Sequence, residues 1–174
     1  IEEMLMYSQR EEIGCVGAKL YYPDNRIQHA GVILGIYGYA AYSHKYYNYN
    51  SNGYSFRLVS IQNMSAVTAA CLMVKTKIYK ELNGLDEINL EVAFNDVDFC
   101  LRVQENGYRN IFTPYCEAYH YESISRGKEN TPIKMDRFKR EVEYIKKRYS
   151  IIFKRGDPFY NPNLTLIRED FSLK

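Results

Sequence analysis

What this sequence has little of narrows it first. It has only three histidines, His29, His44 and His120, far apart along the chain. Its four cysteines, Cys15, Cys71, Cys100 and Cys116, form no C-x-x-C pair. That usage disfavours a structural zinc site. Cysteines set singly in apolar segments read as buried free thiols in a reducing compartment. No apolar run reaches the length needed to span a bilayer. The opening stretch IEEMLMYSQREE lacks the basic start and apolar core of a signal peptide. An excess of one charge is missing too. Lys+Arg number 23 against 21 Asp+Glu, a net charge of +2, which leaves no footprint for nucleic acid or an anionic membrane surface. There is no internal repeat and no low-complexity linker.

What is present suffices for one domain over 1–174: 174 residues, 46% of them hydrophobic. Strand and helix patterns alternate through the middle, which makes the class α/β. Residues 1–12 read as the middle or end of a helix with Ile1, Met4 and Leu5 on one stripe, and the chain is expected to be a piece of a longer one. IGCVGAKLYY (13–22) reads as a buried strand, and IQHAGVILG (27–35) as its hairpin partner across the PDNR turn. Residues 36–54, tyrosines among Gly, Asn and Ser, are expected to form a long mobile loop. Its rings either stack on sugar or base faces or pack on the loop's own base. MSAVTAACLMV (64–74) fits a central strand buried on both faces. Its small residues Ser65, Ala66, Ala69 and Ala70 permit close approach of a helix or ligand. Residues 75–82 should be a short helix with a left-handed exit at Asn83 and Gly84. A second helix is expected over 95–107, two short strands over 109–114 and 116–122, and a polar loop over 123–132. An amphipathic helix over 133–149 should turn Phe138, Val142 and Ile145 inward. The tail 150–174 is expected to be extended and irregular.

The stretch AFNDVDFCLR sets two aspartates among apolar residues, where a carboxylate costs free energy unless its charge is used. With Asn95 as N-cap, both acids favour the helix dipole. Residues two apart on a helix point to nearly opposite sides. Asp98 lies four before Arg102, the spacing of a surface ion pair. Asp96 has no counter-charge at that spacing and is the candidate general base. Asp86 and Glu87 follow the exit of the preceding helix. His120 ends a strand and can be presented at a sheet edge, as a metal ligand or a packed histidine. Arg126 sits on a polar loop beyond it, either solvated or contacting a phosphate.

Five segments in order, VGAKLYYPDNRIQHAGVILG, SAVTAACLMVKTKIYKELNGLDE, AFNDVDFCLRVQENGYRNIFTPYCEAYHYES, SRG and DPFYNPNLT, closely resemble the family 2 glycosyltransferases of bacteria that build O-antigen, rhamnan and related surface polysaccharides. The resemblance covers nearly the whole chain. It implies a GT-A fold, a mixed sheet flanked by helices, and inverting sugar transfer from a nucleotide-sugar to a saccharide or lipid-linked saccharide. It places the catalytic base at Asp96, where Asn95-Asp96 stands for the family's usual Glu-Asp. It puts His120 near the metal or diphosphate, and Ser125, Arg126 and Gly127 facing the diphosphate. Asp86 and Glu87, on a turn where Asn83 replaces a glycine, become candidates for acceptor or donor binding.

The family's nucleotide-binding half, with its D-x-D metal motif, has no counterpart here. The only D-x-D is Asp96-Val97-Asp98, at the base position. The chain is therefore expected to be the C-terminal, acceptor-side part of a transferase. A divalent metal, Mn²⁺ or Mg²⁺, belongs to the full-length enzyme. The implied location is cytoplasmic, including the inner face of the membrane, and the open sheet edge of a fragment should self-associate. The competing reading is a non-catalytic carbohydrate-binding or assembly module that uses the tyrosine-rich loop 37–54.

Overall fold

The computed structural model describes residues 1–121 and 131–174. Most of the expected polar loop at 123–132, with Ser125, Arg126 and Gly127, lies outside the described residues. The elements are α1 (Glu2–Ser8), β1 (Ile13–Tyr21), β2 (Ile27–His29), β3 (Val32–Leu34), β4 (Ala40–Tyr42), β5 (Gln62–Met64), β6 (Leu72–Met73), α2 (Thr76–Glu81), α3 (Asn95–Glu105), β7 (Arg109–Tyr119), α4 (Pro132–Arg148) and α5 (Ser150–Arg155). This is the mixed α/β architecture that the alternating pattern implies.

The main sheet is mixed, in the order β2-β1-β7-β5, with β6 also paired to β1. β1 and β7 run parallel and every other pairing is antiparallel. All nine residues of β1 are buried, because apolar clusters cover both faces of the sheet. The larger cluster gathers α3, α4 and the C-terminal tail, and the smaller holds Met4 of α1 against Val16, Ala18 and Leu20. α3 lies so close to β1 that a Cβ on Gly14 would stand 2.1 Å from a methyl of Val103.

Several local expectations hold. The helix over 75–82 forms as α2 and exits through Asn83 (φ 58°) and Gly84 (φ 62°). β1 and β2 make the expected hairpin. Ile145 is buried on α4, with Phe138 and Val142 packed partly beside it.

Others are corrected. Residues 27–35 are two strands in different sheets: the chain turns at Gly31 (φ 93°), and β3 pairs with β4. Residues 36–54 contain β4 and pack against the tail, so they are not a free loop. Residues 64–74 are not a central strand. β5 ends at Met64, the small residues cross beneath α3, and only the short edge strand β6 follows. Residues 109–119 are one strand, not two. Its parallel register jumps from Ala18–Thr113 to Lys19–Glu117 and leaves Pro114, Tyr115 and Cys116 in a bulge. On α1, Met4 and Ser8 are the buried positions, while Ile1 and Leu5 are exposed.

The tail is irregular beyond α5 yet firmly packed. Asp157 is buried and accepts hydrogen bonds from the Leu34 amide (2.8 Å), the Phe159 amide (2.8 Å) and the Ser65 hydroxyl (2.9 Å). The Phe171 ring stacks on Tyr54 (centroids 5.1 Å apart) and lies 4.2 Å from His44.

Two histidines are locked inside. The Nδ1 of His29 bonds the Ala18 carbonyl (3.0 Å), and its Nε2 accepts from the amides of Gly31 (3.2 Å) and Thr68 (3.1 Å). The Nε2 of His44 accepts from the Tyr54 amide (3.0 Å). Burial depresses His29 to about 4, and burial with the nearby charge of Arg57 depresses His44 to about 3. Below the unfolded value of about 6.5 the unfolded chain takes up protons that the native one refuses. Stability present above that value is therefore lost as pH falls toward 4. Asp157 and Asp96, raised by burial, oppose this at the acid end. We expect a loss of about 2 kcal/mol between pH 7 and pH 5.5. Urea titrations at the two pH values measure it, and identical midpoints would contradict it.

Candidate functional site

The two aspartates of the 95–102 stretch occupy different worlds. The residue before α3 is Phe94, in a left-handed conformation (φ 63°), so Asn95 is the first helical residue rather than the cap. From there Asp96 faces the Thr68–Ala70 turn and Asp98 faces the protein interior.

Asp98 is fully buried, which corrects the expectation of a surface pair. Its Oδ2 accepts from Arg102 Nε (2.8 Å), and its Oδ1 from the Tyr149 hydroxyl (2.8 Å), with Arg148 Nε at 3.1 Å. Arg102 also donates to the carbonyls of Leu82 and Gly84. One carboxylate thus ties α3 to the exit of α2 and to the end of α4. A second buried acid, Glu141 of α4, accepts from the amides of Val92 (2.9 Å) and Ala93 (3.1 Å) and so fixes the approach to α3.

Asp96 lines a cavity of about 620 Å³. Its Oδ2 accepts from the Ala69 amide (3.0 Å), and its Oδ1 from the Val97 amide (2.9 Å). Burial raises its carboxyl above the ordinary aspartate value, against the opposing bonds from the Ala69 amide, the Thr68 hydroxyl and the Val97 amide. Thr68 is itself placed by His29 and by the Tyr42 hydroxyl (3.2 Å). The lining also includes Tyr37, Tyr39, Tyr42, Lys45, Phe138 and, from the tail, Glu169.

His120 lines the same cavity, so two sequence candidates far apart in the chain come together there. Its Nδ1 lies 2.9 Å from Gln28 Oε1, a contact suited to an N–H at Nδ1. Asp86 is used in its own turn. It accepts from the amides of Ile88 and Asn89 and from the Tyr144 hydroxyl (3.1 Å), while Leu85 rather than Asp86 lines the cavity. Burial alone would raise the Asp86 carboxyl, but the bonds from Asn89, Tyr144 and Ile88 bring it below the usual range. Glu87 is exposed. Ser125 and Arg126 lie outside the described residues.

Among the described residues, no three of His, Cys, Asp and Glu converge to hold a metal ion. Asp96 and His120 alone do not make a divalent site. Sequence reasoning did not reach Glu169, Lys45 or Thr68. The signal for Thr68 was the small-residue run at 65–70, which lets the turn approach Asp96. Glu169 had no signal of its own.

Comparison with known proteins adds two relatives. No family model matches the chain. It is 53% identical over 173 residues to the uncharacterized protein y4gI of Sinorhizobium fredii (strain NBRC 101917 / NGR234), covering 99% of this chain and 19% of that protein. It is 32% identical, over an alignment of 180 positions covering all of this chain and 13% of the relative, to the O-antigen biosynthesis protein RfbC of Myxococcus xanthus. The chain thus spans less than a fifth of the length of either curated relative it matches.

Proposed function

We propose that the chain is the acceptor-side part of an inverting glycosyltransferase of GT-A type that acts in surface polysaccharide synthesis. The observation that carries this reading is Asp96: a partly desolvated carboxylate at a helix N-terminus, held by the Ala69 amide at the wall of a cavity rich in tyrosine. The similarity along the whole chain to an O-antigen biosynthesis protein supports it. A carboxylate raised above its ordinary value is a better proton acceptor, and one end of a 620 Å³ cavity is where an acceptor hydroxyl can meet it. Asp96 takes the proton of that hydroxyl as it attacks the anomeric carbon of the donor.

Inverting transfer also needs positive charge on the leaving diphosphate. A divalent ion supplies this in the proposal by polarising the phosphate oxygens. The described residues do not by themselves bring together a ligand set for it, so no step here runs through it. His120 is the one described candidate to join donors from elsewhere. Ser125 and Arg126 remain candidates for the diphosphate, and Asp86 and Glu87 for substrate contacts at the cavity's approach. The proposed location is cytoplasmic. Among the described residues no helix is long and apolar enough to cross a membrane.

The rival, a carbohydrate-binding module without catalysis, is favoured by one observation: Tyr37, Tyr39 and Tyr42 from the tyrosine-rich segment line the same cavity. A donor screen separates the two. The full-length protein, given UDP-, GDP- and dTDP-sugars with Mn²⁺ and a saccharide acceptor, should release nucleotide with at least one donor. The 174-residue chain alone should bind these donors weakly or not at all, and should self-associate through its open sheet edge. No release with any donor would favour the module. Low-micromolar donor binding by the chain alone would place the donor site within it and overturn the fragment reading.

A further inference from the structure

The C-terminal tail contributes one residue, Glu169, to the lining of the cavity that holds Asp96. The chain returns on itself between Leu164 and Leu173, closed by a bridge between those residues and by the Thr165 amide on the Ser172 carbonyl (2.8 Å). Phe171 anchors one side of the turn in the ring cluster of His44, Tyr54 and Tyr160. The Leu166 carbonyl anchors the other by accepting from the Tyr37 amide (2.8 Å). At the tip Ile167 is exposed, Arg168 pairs with Asp170 (3.3 Å) and donates to the Ser172 hydroxyl (2.9 Å), and Glu169 lines the cavity that holds Asp96. Tyr37 and Lys45 line the same cavity as Glu169.

A carboxylate offers about four lone-pair positions. Those of Glu169 can accept from sugar hydroxyls, which are donors of that kind. Among the described lining residues the fixed charges are Asp96, Glu169 and Lys45, and a sugar carboxylate seated on Glu169 would meet like charge. Tyr39, packed edge-on against Phe94 and Phe138, adds a rigid aromatic surface for the apolar face of a sugar ring.

We propose that Glu169, supported by Tyr37 and Lys45, is a specificity-determining subsite for a neutral, hydroxyl-rich sugar in the cavity that also holds Asp96. As an account of acceptor choice it rests on the transferase reading. As an account of saccharide binding it stands alone. The test is binding rather than turnover. The 174-residue chain is titrated, by ligand-observed NMR, with methyl glycosides of a neutral hexose, a deoxyhexose and a hexuronic acid. Wild type should bind a neutral glycoside and not the uronate. Glu169→Gln, which keeps a hydrogen-bonding side chain beside Tyr37, should weaken neutral binding about 10- to 100-fold at an unchanged melting temperature. Ile167→Ser, on the exposed side of the same tip, should bind as wild type. Equal binding by wild type and Glu169→Gln, no binding of any neutral glycoside, or equal binding of the uronate would each overturn the proposal. Failure of the full-length protein to transfer sugar would sink the transferase reading and leave this result standing.

Discussion

Replacing Asp98 by Asn is expected to destabilise the chain by about 3 kcal/mol, a fall in melting temperature of about 6–12 °C for a domain of this size. The carboxylate is fully buried. Two guanidiniums, Arg102 and Arg148, and the Tyr149 hydroxyl converge on it. Asn keeps the shape and one acceptor oxygen but removes the negative charge. Arg102, only 14% exposed at its side chain, is then left without a counter-ion beside the α2 exit that it braces. An exposed i,i+4 pair would contribute only about 0.3–0.5 kcal/mol. Denaturant unfolding of wild type and Asp98→Asn decides between the two magnitudes. A difference below about 1 kcal/mol would mean that the network does not hold α3, α4 and the Leu82–Gly84 turn together.

Asp96→Asn should do the reverse. In the full-length protein it should lower turnover per folded molecule by about 10²- to 10⁴-fold, the usual contribution of a general base, while donor binding stays near wild type and the melting temperature falls only modestly. The isosteric amide keeps one acceptor oxygen, so it can serve either the Ala69 or the Val97 amide and sets its NH2 against the other, a cost of about 1–3 kcal/mol. What sets this variant apart is that the folded fraction loses the proton acceptor. Asp98→Asn, by contrast, should lower turnover no more than its loss of folded protein explains. A large drop for Asp98→Asn at full folding, with Asp96→Asn active, would reverse the roles.

Much of the frame was legible because it is written locally. Ile78 with the Asn83-Gly84 exit specifies α2, and the apolar stripe through Phe138, Val142 and Ile145 specifies α4. The opposite directions of Asp96 and Asp98 follow from helical spacing alone. Asp98's burial does not, because Arg148 and Tyr149 are brought to it from a helix some fifty residues further on. The run at 64–74 misleads for a physical reason. Apolar and small residues are demanded equally by a central strand and by a chain crossing tightly under a helix, and here the crossing wins. Gly31 was visible as a glycine, but nothing nearby announced that the strand would change sheets there.

The site was legible in the same uneven way. Asp96 stood out as an acid without a local partner. His120 follows the end of β7, where its amide bonds the Tyr21 carbonyl of β1 (3.0 Å) and the Gln28 side chain of β2 reaches its ring. Glu169 was hidden in a tail whose Pro and Asn content signals irregular backbone and says nothing of where the backbone goes. Its position is set by Phe171 and Asp157, which dock the tail on residues more than ninety positions earlier.

The pH dependence of acceptor kcat/KM in the full-length protein tests the central claim, that Asp96 is the base of a sugar transfer, most directly. A carboxylate base is active only when ionised, and burial raises this one above the ordinary aspartate value. The account predicts that wild type loses kcat/KM with unit slope as pH falls through that raised value, and that the residual activity of Asp96→Asn shows no such limb. The same acid limb in Asp96→Asn as in wild type, at comparable turnover, would contradict it.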